Sequence, residues 1–147
     1  MPGIDEVAAK EADLLNKTRI LIIDDEEDIC MFSKSALEKT GRYEVLFSVK
    51  AKEGIDLAKS NKPDLILLDV RMPGMDGAEV AKCLYEDEAT KAIPVVFLSA
   101  VAVPAAFLLS MIRDIKQRAG HEGYYFIQKP VASNELASRV DSILSGK

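Results

Sequence analysis

Histidine and cysteine are scarce in this chain: one His and two Cys among 147 residues. The single histidine, His121, stands alone before an apolar run and reads as a surface residue, so a zinc or other soft-metal centre has no ligand set. Cys30 and Cys83 each lie inside a helical pattern among core-type residues. They read as two free buried thiols of a reducing cytoplasm, with neither a disulfide nor a metal pair implied. Positive charge is also in deficit, with 19 Lys+Arg against 24 Asp+Glu and a net charge of −5. No basic cluster offsets that balance, so general nucleic-acid binding lacks its electrostatic footprint. The longest apolar stretch, 92–111, is interrupted by Pro94, Ser99, Pro104 and Ser110, which argues against a membrane span. The first fifteen residues are acidic and have no apolar core, so no signal peptide is expected.

What is present suits one globular domain, 48% hydrophobic and 29% charged. Short β-branched runs alternate with amphipathic helical patterns. Arg19–Ile23, Leu65–Leu68 and Val95–Leu98 are apolar nearly throughout, the mark of strands covered on both faces in a parallel sheet. Tyr43–Val49 is a weaker strand suited to an edge, and Tyr124–Gln128 completes five. Ile29, Phe32, Ala36 and Leu37 share a helical face that Gly41 would end. Ile55 and Ala58, then Val80, Cys83 and Leu84, mark two more helices. Leu136, Val140, Ile143 and Leu144 mark the last, with Ser133 placed to cap it. The expected fold is therefore α/β, a (βα)5 doubly wound parallel five-stranded sheet of flavodoxin-like type, with an elongated fourth βα unit. Residues 1–17 form an N-terminal extension, helical or mobile. Residues 18–147 form the domain, with no room for a second.

The polar residues fall at strand ends. Asp24 and Asp25 follow the first strand, Asp69 the third, Ser99 the fourth and Lys129 the fifth. In an open parallel sheet these ends lie along one edge, where ligands bind. Three carboxylates repelling one another by about 3 kcal/mol per pair require a cation or protons. All-oxygen ligands select a hard ion, and Mg2+ is the natural occupant. A carboxylate on Mg2+ beside an ammonium and a hydroxyl is equipped to attack phosphorus, with Asp69 as nucleophile.

These residues carry a family resemblance. IDDEED at 23–28, LILLDVRMPGMDG at 65–77, VVFLSA at 95–100 and IQKP at 127–130 resemble the receiver (response-regulator) domain of bacterial two-component signalling, over about residues 18–145. The resemblance implies that Asp69 is the phosphoacceptor and that Asp25 binds Mg2+ directly, Asp24 directly or through water. Arg71 would lend the metal its backbone carbonyl. Ser99 would contact the phosphoryl group, with Ala100 as its small neighbour, and Lys129 would contact the phosphoryl oxygens. The Lys129–Pro130 peptide is of the kind often cis in this family. Phe126 occupies the place of the switch aromatic. Phosphorylation would draw Ser99 inward and shift the population of the face made by the fourth helix, fifth strand and fifth helix. The implied donor is a sensor histidine kinase or histidine phosphotransfer protein in the cytoplasm. The output partner is not readable, and neither nucleic acid nor membrane is expected as a direct partner.

One departure stands out. The interval from Ser99 to Lys129 exceeds the family's usual one by roughly eight residues, about two helical turns. Its first half carries Phe107, Leu108, Leu109, Met111 and Ile112, too many for one buried face. Either a longer fourth helix is covered by the extra loop, or the 101–125 region is a partner or homodimer surface. Arg71 and Val101 flank the acceptor and would tune access of water to it. Two other classes compete. A pseudo-receiver would keep the fold as a constitutive interaction or dimerisation module. A separate-substrate phosphohydrolase would want an acid two residues beyond the nucleophile, where Arg71 stands. A flavin site is disfavoured because DDEED would repel a phosphate.

Overall fold

A computed structural model describes residues 17–100 and 103–146. The expected extension, apart from Lys17, and Val101 lie outside the described residues. Five strands alternate with five helices: β1 (Thr18–Ile23), α1 (Glu27–Glu38), β2 (Tyr43–Ser48), α2 (Ala51–Asn61), β3 (Leu65–Asp69), α3 (Gly77–Tyr85), β4 (Val95–Ser99), α4 (Ala105–Ala119), β5 (Tyr124–Gln128) and α5 (Ser133–Leu144). All neighbouring strands are parallel, in the order β2-β1-β3-β4-β5. The expected fold class is therefore the observed one, with β2 and β5 at the edges.

The unbroken apolar strands have a direct cause. Ile20 and Ile22 of β1, with Leu65 and Leu67 of β3, pack with Cys30 and Leu37 of α1 and Leu136 and Val140 of α5. The alternate residues Leu21, Ile23, Ile66 and Leu68 face the other layer with Ile55, Val80, Leu84, Leu108 and Ile112 of α2, α3 and α4. Every one of these side chains is less than a tenth exposed, and burying a Leu or Ile contributes about 1.5–3 kcal/mol. Gly54 makes close packing possible, since a Cβ there would lie 2.7 Å from Ile23. The two edges are guarded by helix side chains. Glu38 accepts from the Val45 amide and Lys34 donates to its carbonyl, while Arg139 donates to the Phe126 carbonyl.

Several local expectations need correction. On α1 the buried stripe is Cys30, Ser33, Ala36 and Leu37. Phe32 is 47% exposed and Met31 56%, because the small Cys30 and Ser33 occupy the closest approach to the sheet. Cys83 is half-buried instead of core. Ser133 makes no cap bond and is the first helical residue, the capping position falling to Ala132. α4 is the longest described helix at 15 residues, ending on Gly120 at φ 80°. It buries Leu108, Ile112 and Ile115 yet leaves Phe107 and Leu109 53% and 54% exposed. No loop among the described residues covers those two side chains. His121 is partly buried, stacked on Tyr124 and bonded to the Lys91 carbonyl and the Gly123 amide.

Candidate functional site

Sheet register brings the strand-end residues together. Ile23 pairs with Leu68 and Asp69 with Leu98, so Asp24, next along the chain from Ile23, lies beside Asp69. The Asp24 amide donates to the Ser48 carbonyl, extending β1 by one residue, and the Val70 amide donates to Leu98. On the far side, the Lys129 amide donates to the Ser99 carbonyl at 2.6 Å, anchoring the end of β5 against β4. The Lys129–Pro130 peptide is cis.

Asp24, Asp25 and Asp69 each offer a carboxylate oxygen, and these three atoms lie within 4.8 Å of one another. Asp24 is fully buried and Asp69 nearly so, while Asp25 is open to solvent. Lys129 supplies the counter-charge. Its Nζ lies 2.9 Å from Asp24 Oδ2, 3.5 Å from Asp69 Oδ1 and 3.9 Å from Glu26 Oε1. Ser99 is fully buried, and its hydroxyl donates to the Ala100 carbonyl. Arg71 is exposed in the loop after β3. Phe126 is half-buried against the layer formed by α2, α3 and α4. The expected site residues Asp24, Asp25, Asp69 and Lys129 thus meet directly, Ser99 and Arg71 adjoin them, and Phe126 lies on β5 three residues before Lys129. His121 stands at the opposite end of β5 from this cluster.

Two features of the chain hold Asp69 in place. The Gly77 amide donates to the Val70 carbonyl at 2.7 Å, and a Cβ on Gly77 would lie 2.8 Å from the Asp69 carbonyl oxygen. Only a residue without a side chain allows α3 to start so close. Asp76 then caps α3 through the Glu79 amide. Asp24 is locked from both sides as its Oδ1 accepts from the Glu26 amide and its carbonyl accepts from the Cys30 thiol.

The electrostatics follow from this crowding. Burial, then the charge of Asp24, pushes the Asp69 carboxyl up to about 7, against the opposing pull of Lys129. Burial alone would lower Lys129, but the Asp24 hydrogen bond and charge, with Asp69 and Glu26, hold its ammonium above the usual lysine range. The same burial pushes the Cys30 thiol up to about 12, so it stays protonated as a donor and is no metal ligand. The donor set is accordingly oxygen only, short of positive charge by more than Lys129 supplies, and open on the Asp25 side. That is the chemistry of a hard divalent cation that keeps part of its water shell.

Sequence reasoning passed over Glu26 and Gly77. Glu26 was hidden in a run of five acids, of which spacing alone singles out none. Gly77 carried a signal, a glycine at the start of a helix eight residues after the central carboxylate, which the turn reading absorbed.

Comparison with known proteins bears on the same residues. Residues 20–141 match the family model described as the response regulator receiver domain. The chain is 31% identical to Protein PilH of Pseudomonas aeruginosa over 128 residues, covering 87% of this chain and 98% of that protein. It is 34% identical over 130 residues to the alkaline phosphatase synthesis transcriptional regulatory protein PhoP of Bacillus subtilis, spanning 88% of this chain but 49% of that longer protein. Among solved structures, the receiver domain of the Francisella response regulator 1452 superposes with a TM-score of 0.71 at 26% identity, covering 88% of this chain and 98% of that one. No helix among the described residues is long and apolar enough to cross a membrane.

Proposed function

This chain belongs to the response regulator receiver domain family, and from that premise we propose that it is a phosphorylatable signalling receiver in which Asp69 accepts a phosphoryl group from a phosphohistidine donor. Response regulators work with histidine kinases and with output partners; here the donor is a sensor histidine kinase or a histidine phosphotransfer protein, acting in the cytoplasm. The receiver unit is residues 18–147, with 1–17 as an extension. The observation that carries the reading is the meeting of the Asp24, Asp25 and Asp69 carboxylates within 4.8 Å, with the Lys129 ammonium 3.5 Å from Asp69.

Asp24, Asp25, Asp69 and the Arg71 carbonyl would hold Mg2+, which when bound neutralises carboxylate charge and shares the charge developing on the phosphoryl oxygens. Asp69 attacks as a carboxylate, one oxygen forming a bond to phosphorus as the donor's N–P bond breaks. The bonding pair leaves with the imidazole nitrogen, which is protonated. Lys129, 3.5 Å from Asp69, meets the transferred oxygens. Ser99 turns its hydroxyl from the Ala100 carbonyl toward the phosphoryl group. Phe126, half-buried on β5, then repacks, and the face of α4, β5 and α5 changes. The phosphorylated state is selected because it satisfies Ser99 and Lys129 together.

That face carries a groove of about 570 Å3 lined by Leu109, Ile112, Tyr125, Phe126 and Arg139, among others. With Leu109 in its lining and Phe107 of the same helix also exposed, it serves as the surface for an output partner or a second copy of the chain through the 101–125 region. Incubation with Mg2+ and acetyl phosphate tests the assignment. The expected result is a gain of one phosphoryl mass mapping to Asp69, labile in base and absent in Asp69→Asn. Failure of the wild type to incorporate phosphate, or equal incorporation by Asp69→Asn, overturns it. Light scattering with and without beryllofluoride reads the oligomeric state.

A further inference from the structure

Glu26 is the carboxylate of the cluster that the chemistry leaves over. Asp24, Asp25 and Asp69 bring their oxygens within 4.8 Å of one another, and a divalent cation held there would, together with Lys129, balance their three charges. Glu26 lies outside that set, yet its Oε1 is 3.9 Å from Lys129 Nζ. It is the exposed partner of an otherwise enclosed ammonium, with 64% side-chain exposure against 0% for Asp24 and 9% for Asp69. Its backbone is fixed at the N-cap of α1, where its amide donates to Asp24 Oδ1 and its carbonyl accepts from the Cys30 amide. A negative charge that only shares the Lys129 ammonium with Asp24 and Asp69 therefore stands at the rim of the pocket. Lys129 Nζ is itself 3.5 Å from Asp69 Oδ1, so the Glu26 carboxylate lies within about 7 Å of the attacking oxygen.

We propose that Glu26 is a donor-selectivity residue whose rim carboxylate disfavours free dianionic phosphodonors at Asp69. The inference rests on the receiver reading. Any phosphoryl donor must bring its own negative charge past this rim. A protein donor can set a cation opposite Glu26, whereas a small dianion cannot. One unit of donor charge at about 7 Å, in a dielectric dominated by water, corresponds to about a three- to sevenfold change in rate.

Two small donors separate charge from structure. Acetyl phosphate is a dianion at neutral pH, its P–O bond breaking to release acetate. Phosphoramidate carries an already protonated nitrogen and is a net monoanion, its P–N bond breaking to release ammonia. The experiment measures Mg2+-dependent phosphorylation of the full chain by each donor, at low and high ionic strength. The expected result is that Glu26→Gln raises the acetyl phosphate to phosphoramidate rate ratio about three- to sevenfold, chiefly through KM. Added salt should shrink the difference. Glu26→Asp keeps the wild-type ratio. Glu27→Gln, a neighbouring exposed acid on α1 with no bond to Lys129, changes the ratio less. An equal effect of Glu26→Gln on both donors would mean a merely structural role and overturn the proposal, as would an equal effect of Glu27→Gln. If the wild type accepts phosphate from neither donor, the receiver reading itself fails, and this inference with it.

Discussion

Replacing Asp69 by Asn should stabilise the metal-free protein at alkaline pH, and the size of the gain follows from the cluster geometry. With an effective dielectric of about 20, each of Asp24 and Asp25 at no more than 4.8 Å costs the Asp69 charge about 3.5 kcal/mol. Lys129 at 3.5 Å returns about 5 kcal/mol. The ionised carboxylate is thus left with a deficit of about 2 kcal/mol before desolvation is added. The Asp69 carboxyl standing at about 7 instead of near 4 corresponds to about 4 kcal/mol, an upper bound. A gain of about 2–4 kcal/mol at pH 8 is therefore expected for Asp69→Asn, which keeps the shape and loses the charge. The sign with pH is fixed by linkage. Because the folded value is raised, the folded state binds more protons than the unfolded chain between pH 4 and 7. Wild-type stability attributable to Asp69 is full below about pH 4 and lost as pH rises through 7. The advantage of Asn should be absent near pH 4 and reach its plateau by pH 8. Thermal melts followed by circular dichroism in EDTA read this out, at about 4 °C per kcal/mol for a chain of this length. Added Mg2+ should raise the wild-type Tm more than that of the variant and narrow the gap. An Asn variant no more stable than wild type at pH 8, or a gap that does not change between pH 4 and 8, would refute the electrostatic account.

Further outcomes follow from the same contacts. Lys129→Ala leaves the fully buried Asp24 without its ammonium and should cost about 3 kcal/mol, with phosphorylation lost. Adding Asp24→Asn should restore much of the Tm but not the phosphorylation, as chemical denaturation and mass spectrometry would show. Gly77→Ala drives a Cβ to 2.8 Å from the Asp69 carbonyl and should destabilise by about 1–3 kcal/mol. Amide chemical-shift changes centred on Asp69 and Val70 would mark the displacement. Tyr43→Phe deletes the hydroxyl that donates to Asp141 on α5 and should cost about 1 kcal/mol in urea unfolding, leaving phosphorylation by acetyl phosphate unchanged.

How far the sequence could be read depends on whether a residue's role is local or requires a partner. β1, β3 and β4 were legible because both faces of each are covered, so Ile20 and Leu21 alike had to be apolar, and a continuous run admits few other readings. The strand-end acids, Ser99 and Lys129 were legible for a similar reason, since parallel topology alone sends them to one edge. Phe32 was misread because amphipathic reasoning puts the largest apolar side chain inward. The closest approach of α1 to the sheet instead selected the small Cys30 and Ser33, turning Phe32 out. His121 depends on the Lys91 carbonyl thirty residues away, which no local pattern encodes. Glu26 makes the distinction sharpest. Five acids in a row all look like solvated surface, and the one that meets Lys129 from the rim is chosen by backbone geometry. The hydrogen bond from the Glu26 amide to Asp24 and the extended N-cap conformation fix where its side chain starts, and Lys129, more than a hundred residues on, supplies what it meets. Composition could show that this loop is acidic; only the fold decides which of its exposed charges stands beside the Lys129 ammonium.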